Sequence, residues 1–205
     1  PVQYMGQEIG VQVMPLNGLV DINSAQIPLL VRLLTVAGGL AEGAATPVAQ
    51  AIVDYREQRS AKGIPRRFEA VEDLMRVPGV NYDLYARLSG LVTADIRGSG
   101  MVNPMAAPPP VLQMLAGGNA ELVSQIDSRR QSGQPGIDMT GLDAALVDSG
   151  TVRRYRLQAR VSAADGGAYL VTRYVDTNPR SRDGFPWTTF HMQREVEPVP
   201  PRSSP

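Results

Sequence analysis

The stretch RRYRLQARVSA, residues 153–163, decides how the C-terminal part of the chain folds. Tyr155, Leu157, Ala159 and Val161 alternate with Arg154, Arg156, Gln158 and Arg160, a period of two that predicts a strand with one apolar and one wet face. Working outward, Asp165-Gly166-Gly167 predicts a hairpin turn into AYLVTRYV at 168–175. A loop with Asn178-Pro179 and Gly184 to Pro186 then leads to a last strand, WTTFHMQRE, at 187–195. Far upstream, EIGVQVM at 8–14 alternates in the same way, with Ile9, Val11 and Val13 on one face. The period changes in between. Leu29, Leu30, Leu33 and Leu34, then Val48, Ile52 and Val53 after a start at Thr46-Pro47, follow helical spacing. Gly38-Gly39, Gly63, Gly79, Gly90 and Gly117-Gly118 divide this middle into short helices. The fold class is therefore α+β: an antiparallel sheet of about four strands, one before and three after a large all-helical insertion. Residues 1–17 and 151–197 form the sheet domain, 18–150 the inserted helical domain, and 198–205 a Pro- and Ser-rich disordered tail. A sheet with one apolar face needs a second layer to cover it.

Inside the helical block one segment is written twice. VDINSAQIPLL at 20–30 returns as VNPMAAPPPVL at 102–112, matching Val20 with Val102, Ala25 with Ala107, Pro28 with Pro110 and Leu30 with Leu112. Gly18 and Gly100 match just upstream. Each copy has an Asn ahead of a small or Pro-rich turn, an apolar helix, and a second helix ending in an Arg-containing segment and a Gly: AIVDYREQRSAKG at 51–63 and SQIDSRRQSG at 124–133. A repeated two-helix unit is a scaffolding device, since each copy buries its apolar face against the other.

Composition narrows the function. Twenty acids balance twenty bases in 205 residues, so no global field draws the chain to nucleic acid or to a membrane surface. One base is Lys62 and the others are Arg; the pairs Arg66-Arg67, Arg129-Arg130 and Arg153-Arg154 read as solvated faces. With no Cys, disulfides and thiolate metal sites are excluded. No run of eighteen apolar residues is present. His191 is the single His and lies in a strand, so a nucleophile–base pair has no partner residue and a structural His is expected. Trp187 and Phe190 read as sheet core in preference to an exposed partner anchor. Ala106-Ala107-Pro108-Pro109-Pro110 reads as a rigid start to a helix and not as a polyproline ligand.

LMRVPGVNYDLYARL (74–88) and LQMLAGGNAELVSQI (112–126) have the outline of helix-hairpin-helix units, which use a Gly-hydrophobic-Gly turn to bring backbone N–H groups to a phosphate. Here Asn81 and Asn119 replace the second Gly, and Asp83 and Glu121 stand in the first turns that follow. Those acids repel phosphate and complement the helix N-termini instead, so a structural role is favoured over DNA contact.

In order along the chain come a Gly-hydrophobic-Val-Asp-Ile-Asn-Ser-Ala segment, an Ile-Val-Asp-Tyr-Arg helix end, a Val-Glu-Asp-Leu…Val-Pro-Gly-Val hairpin, and Val-Asn-Pro-x-x-Ala-Pro-Pro-x-Val-Leu. This order, from about Gly18 to Val196, resembles the periplasmic part of general secretion pathway protein K, the large minor pseudopilin of type II secretion systems. The resemblance implies a non-enzymatic assembly protein at the tip of the pseudopilus, joined to the I- and J-type minor pseudopilins and able to touch secreted substrates or the outer-membrane secretin. It also implies a periplasmic domain of a bacterial inner-membrane protein, with a hydrophobic N-terminal helix, absent from this chain, covering the sheet; a start at Pro1 rather than Met reads as processing. A calcium site near Asp54 is part of the family pattern. Glu57 stands where a second Asp is expected and Arg59 occupies a third acidic position, so the ligand pattern is degraded, and Asp54 and Glu57 read as surface acids pairing with Arg56, Arg59 or Lys62. Asp138, Asp143 and Asp148 are too dispersed for a site. No catalytic, cofactor or metal residue is assigned. Two alternatives stand beside this reading: a helix-hairpin-helix nucleic-acid-binding protein, and a type IV pilus minor pilin.

Overall fold

The computed structural model describes residues 1–59, 63–96, 98–132, 138–163, 167–178 and 184–197. The expected turn at Asp165-Gly166, Lys62 and the expected disordered tail lie outside them. The chain divides into two compact units, Pro1–Pro15 with Val152–Pro205, and Leu16–Thr151.

The first unit is an antiparallel sheet in the order β1-β2-β5-β6-β7: β1 Val2–Tyr4, β2 Gln7–Pro15, β5 Arg154–Ser162, β6 Ala168–Asp176 and β7 Thr188–Glu197. The alternation at 8–14 ends up where its period points, with Val11 opposite Ala159 and Val13 opposite Leu157. Among the described residues the sheet has five strands, against the expected four or so. Val2–Tyr4 is too short to show a period, and its turn at Met5-Gly6, with φ of 49° and 77°, puts Met where Asn or Asp usually signals a hairpin. In β7, His191 pairs with Tyr174 and Thr189 with Val175, leaving Phe190 as the extra residue of a bulge.

The second unit holds β3 Val20–Asp21, α1 Ile27–Arg32, α2 Glu42–Glu57, α3 Tyr82–Leu88, β4 Val92–Thr93, α4 Pro109–Leu115 and α5 Ala120–Gln131, with a 3-10 helix at Val71–Arg76. It is not all-helical. β3 and β4 pair in parallel, Val20 with Val92 and Asp21 with Thr93, all four buried; two residues per strand are too few for sequence periodicity to reveal. α1 runs into a π-helical turn at Leu33–Ala37, where Gly38 N–H reaches back to Leu33 O at 3.0 Å, and Gly39, at φ 70°, ends it. α2 begins at Glu42, so Pro47 lies inside it and not at its first turn. The ring removes a donor for Gly43 O, a loss confined to the second turn, while Thr46 Oγ1 donates to Glu42 O at 3.1 Å.

Leu29, Leu30, Leu33 and Leu34 of the first helical stretch, Ile52 of α2 and Val111, Leu112 and Leu115 of α4 are all buried, as their spacing requires. Phe68 stacks on Tyr55 with ring centroids 4.7 Å apart, sealing the end of α2.

Candidate functional site

The two matched segments share several contacts. Val20 N–H donates to Leu91 O and Val102 N–H to Leu146 O, each at 3.0 Å; Val102 also forms a parallel bridge with Val147, as Val20 does with Val92. The Asp21 carboxylate accepts from Asn23 N–H at 3.0 Å, and the Asn103 side-chain oxygen accepts from Met105 N–H at 2.9 Å. The Arg near the end of each second helix returns to its own segment at matching places: Arg56 Nη1 donates to Ile22 O and Arg130 Nη1 to Pro104 O, each at 3.0 Å. The glycines interlock reciprocally. A Cβ at Gly18 would run into Ala106 O, and one at Gly100 into Ser24 O, which is the position matching Ala106. These Arg tethers and the glycine approach were not read from sequence, although both glycines and both arginines stand in the matched segments.

The two copies differ in charge. Asp21 is 2% exposed and accepts from Ser24 Oγ at 2.6 Å as well as from Asn23; burial pushes its carboxyl above the ordinary value of 3.8, against the pull of those hydrogen bonds and of Arg56. The same burial draws the Arg56 guanidinium below its usual range. Asn103, in the matching place, carries no charge. Asn23 completes the first copy, donating to Phe68 O and Ala94 O while accepting from Phe68 N–H. Each of these groups has a hydrogen-bond partner within the protein.

Asn81 and Asn119 are N-caps. Their side-chain oxygens accept from Leu84 N–H at 2.8 Å and Leu122 N–H at 3.2 Å, so each carboxamide occupies the helix end that a phosphate would need. Asp83 and Glu121 lie in the first turns beside them. Asp54 accepts from Gln50 Nε2 at 2.8 Å, Arg56 is turned to Ile22, and Arg59 Nη1 donates to Gly63 O at 2.9 Å; the expected Asp54 pairing with a base is replaced by a same-helix amide contact. Asp138 and Asp148 are spent locally, on Thr140 and on Ser99 with Gly150, contacts that hold both carboxyls below the usual range. Asp143 accepts from Ala145 N–H. Among the described residues no group of three or more acids or His could hold a metal ion, and no helix is long and apolar enough to cross a membrane.

In the sheet, His191 is exposed, its ring 5.3 Å from that of Tyr174. Trp187 and Phe190 are 40% and 38% exposed, which corrects their assignment to the core: Phe190 is displaced by the bulge and lies under the Arg154 guanidinium, 4.9 Å from its ring centroid, and Trp187 stands against exposed Phe185. Strand register gathers Ile9, Val11, Val13, Leu157, Val161 and Val171 onto one face, with Tyr169, Met192 and Val196 continuing it. Most of this face is open, with Val13 61% and Val196 71% exposed, while Val175 at one end of it is buried.

No protein-family model and no curated protein matches the chain. Among solved structures it is similar to a chain in the crystal structure of the GspK-GspI-GspJ complex from the enterotoxigenic Escherichia coli type 2 secretion system, with a TM-score of 0.59 and 15% identity over 91% of this chain and 79% of that one. The fold is pseudopilin-like. At that identity the likeness is one of architecture, and it spans both units of the chain.

Proposed function

We propose that this protein is a minor pseudopilin of the K type, acting without catalysis at the tip of a type II secretion pseudopilus in the bacterial periplasm. The observation that carries the reading is a pseudopilin-like sheet whose paired strands β2 and β5 are separated in sequence by a whole helical unit, in a fold shared with a chain of the GspK-GspI-GspJ complex. The motif order from Gly18 to Val196 points the same way.

On this reading each part has a mechanical task. The open apolar face of the sheet is the surface that the hydrophobic N-terminal helix of a pseudopilin covers. The helical unit is an inserted domain built from two copies of a two-helix element, locked by the reciprocal approach of Gly18 and Gly100. Its size keeps it out of a packed fibre and places it at the end of one, within reach of secreted substrates and of the outer-membrane secretin. The flank of the sheet domain joins the I- and J-type partners. The Asn81 and Asn119 caps argue against the helix-hairpin-helix nucleic-acid alternative, and the satisfied Asp21, Asn23 and Asn103 contacts argue against an enzyme.

The test is assembly. Mixed with the soluble I- and J-type pseudopilin domains of the same secretion system at about tens of micromolar, a range that captures transient interfaces, the protein is expected to elute from size exclusion as a complex of one copy each. Separate elution at that concentration, with the protein folded by circular dichroism, overturns the reading. Co-purification with pilus components instead would move the chain to a type IV pilus.

A further inference from the structure

The open face of the sheet carries two charges and both are positive. Register places Arg173 between Leu157 and Met192, and Arg194 beside Val171, so the two arginines are diagonal neighbours on adjacent strands, on the same side as Val13 and Val196. Diagonal side chains of this kind lie within reach of one another. Every acid in the strands, Glu8, Asp176, Glu195 and Glu197, lies on the opposite side. There two of the three arginines meet an acid, Arg154 Nε with Asp176 at 3.0 Å and Arg160 Nε with Glu197 at 2.8 Å, while Arg156 reaches the Met14 sulfur at 3.7 Å. Arg173 and Arg194 are exposed and have no hydrogen bond or ion pair among the described residues.

The geometry points to an occupant of definite chemistry: one amphipathic α-helix whose apolar stripe is interrupted by a carboxylate that pairs with Arg173 and Arg194. This rests on the reading of the sheet as a pseudopilin sheet that takes a helix, and adds what that helix must carry. An apolar layer laid over two unpaired guanidiniums strips their water and returns nothing; a Glu or Asp between them supplies charge-assisted hydrogen bonds and relieves their mutual repulsion. A second copy of the chain is the wrong occupant. Stacking two such faces about a two-fold axis buries four arginines with no acid on either side to pair with them. A helix also completes the two-layer architecture that a one-sided apolar sheet requires.

The test uses two synthetic Leu/Ala-rich amphipathic helices of about 18 residues, roughly 27 Å long, identical except for a central Glu or Lys on the apolar stripe. Binding to the full chain is read by fluorescence anisotropy at low and high salt. The Glu peptide is expected to bind at least about tenfold tighter than the Lys peptide, with the difference shrinking in salt. The R173E/R194E double variant, both sites exposed and checked for folding by circular dichroism, is expected to reverse the preference. Equal binding of both peptides would overturn the carboxylate requirement while leaving the helix-covered face standing. No binding of either would overturn the docking face itself, and with it the support it lends to the pseudopilin reading. Concentration-dependent dimerisation lost in V13E/V196E would assign the face to a second copy, and binding to phosphatidylglycerol vesicles lost in R173E/R194E would assign it to a lipid surface; either result overturns the helix.

Discussion

In the unit Leu16–Thr151, Leu30, Leu34 and Leu112 are wholly buried, whereas in the sheet Val13, Tyr169 and Val196 stand more than half exposed. Among the described residues, all but two of the buried apolar ones belong to the helical unit; the sheet contributes Ala168 and Val175. Yet β2, β5 and β6 carry the period-two alternation of strands with one face to be covered. The difference teaches that hydrophobic alternation announces a face to be covered and says nothing of whether the cover comes from the same fold. The helical unit supplies its own second layer, helix on helix, with the two matched segments meeting at Gly18 and Gly100. The sheet has its hydrogen-bonded ladder, while Val13, Tyr169 and Val196 on its apolar face stay exposed.

The sharpest way to break this contrast is to truncate a core ring. Phe68→Ala removes the side chain stacked on Tyr55 and is expected to cost about 3–5 kcal/mol, the range for a buried aromatic, read by urea denaturation of the helical signal. Survival of the helical unit with a loss under about 1 kcal/mol would show that its core is looser than its burial implies. Gly100→Ala tests the meeting of the two copies. Its Cβ would strike Ser24 O at a left-handed φ of 84°, so overpacking adds to backbone strain and a loss of about 2–4 kcal/mol is expected.

Asp21→Asn probes the charge difference between copies. Burial raises the folded pKa of Asp21 above 3.8, so between 3.8 and that raised value the folded state holds more proton than the unfolded one, and stability falls as pH rises through this window. The contribution is complete below 3.8 and gone above the folded pKa. Asn, which already does this work at position 103, removes the slope; the variant is expected to match or exceed the parent at neutral pH and to lose its advantage in acid. Thermal melts from acid to neutrality measure it, and an unchanged slope would assign the titration elsewhere. The smallest effect is expected at Val196→Ala: in the isolated chain it should shift stability by no more than about 0.5 kcal/mol, as at other exposed sites. A loss near that of a core Val would mean the face is covered after all.

How far the sequence could be read follows the same division. The strands at 8–14, 154–162 and 168–176 are long enough for a period of two to be counted, and the leucines at 29–34 long enough for a helical one. β1, β3 and β4 have two or three residues each and carry no period. Pro47 misled because proline marks a first turn more often than a second, and here the helix had already started at Glu42. Trp187 and Phe190 misled because residue type predicts burial only where a second layer exists, and a bulge further turned Phe190 aside.

The sequence by itself determined the α+β class, the antiparallel strands flanking a helical block, the matched segments and the replacement of the hairpin glycines by Asn81 and Asn119, since all of these are local patterns of spacing or residue type. Tertiary structure alone decided which groups of the two segments meet, that Arg56 and Arg130 return to equivalent carbonyls, and that Arg173 and Arg194 share an open face with no acid on it. Those facts depend on which strands and helices meet and in what register: a segment's own period says which of its residues share a face, but not which residues of a distant segment lie beside them.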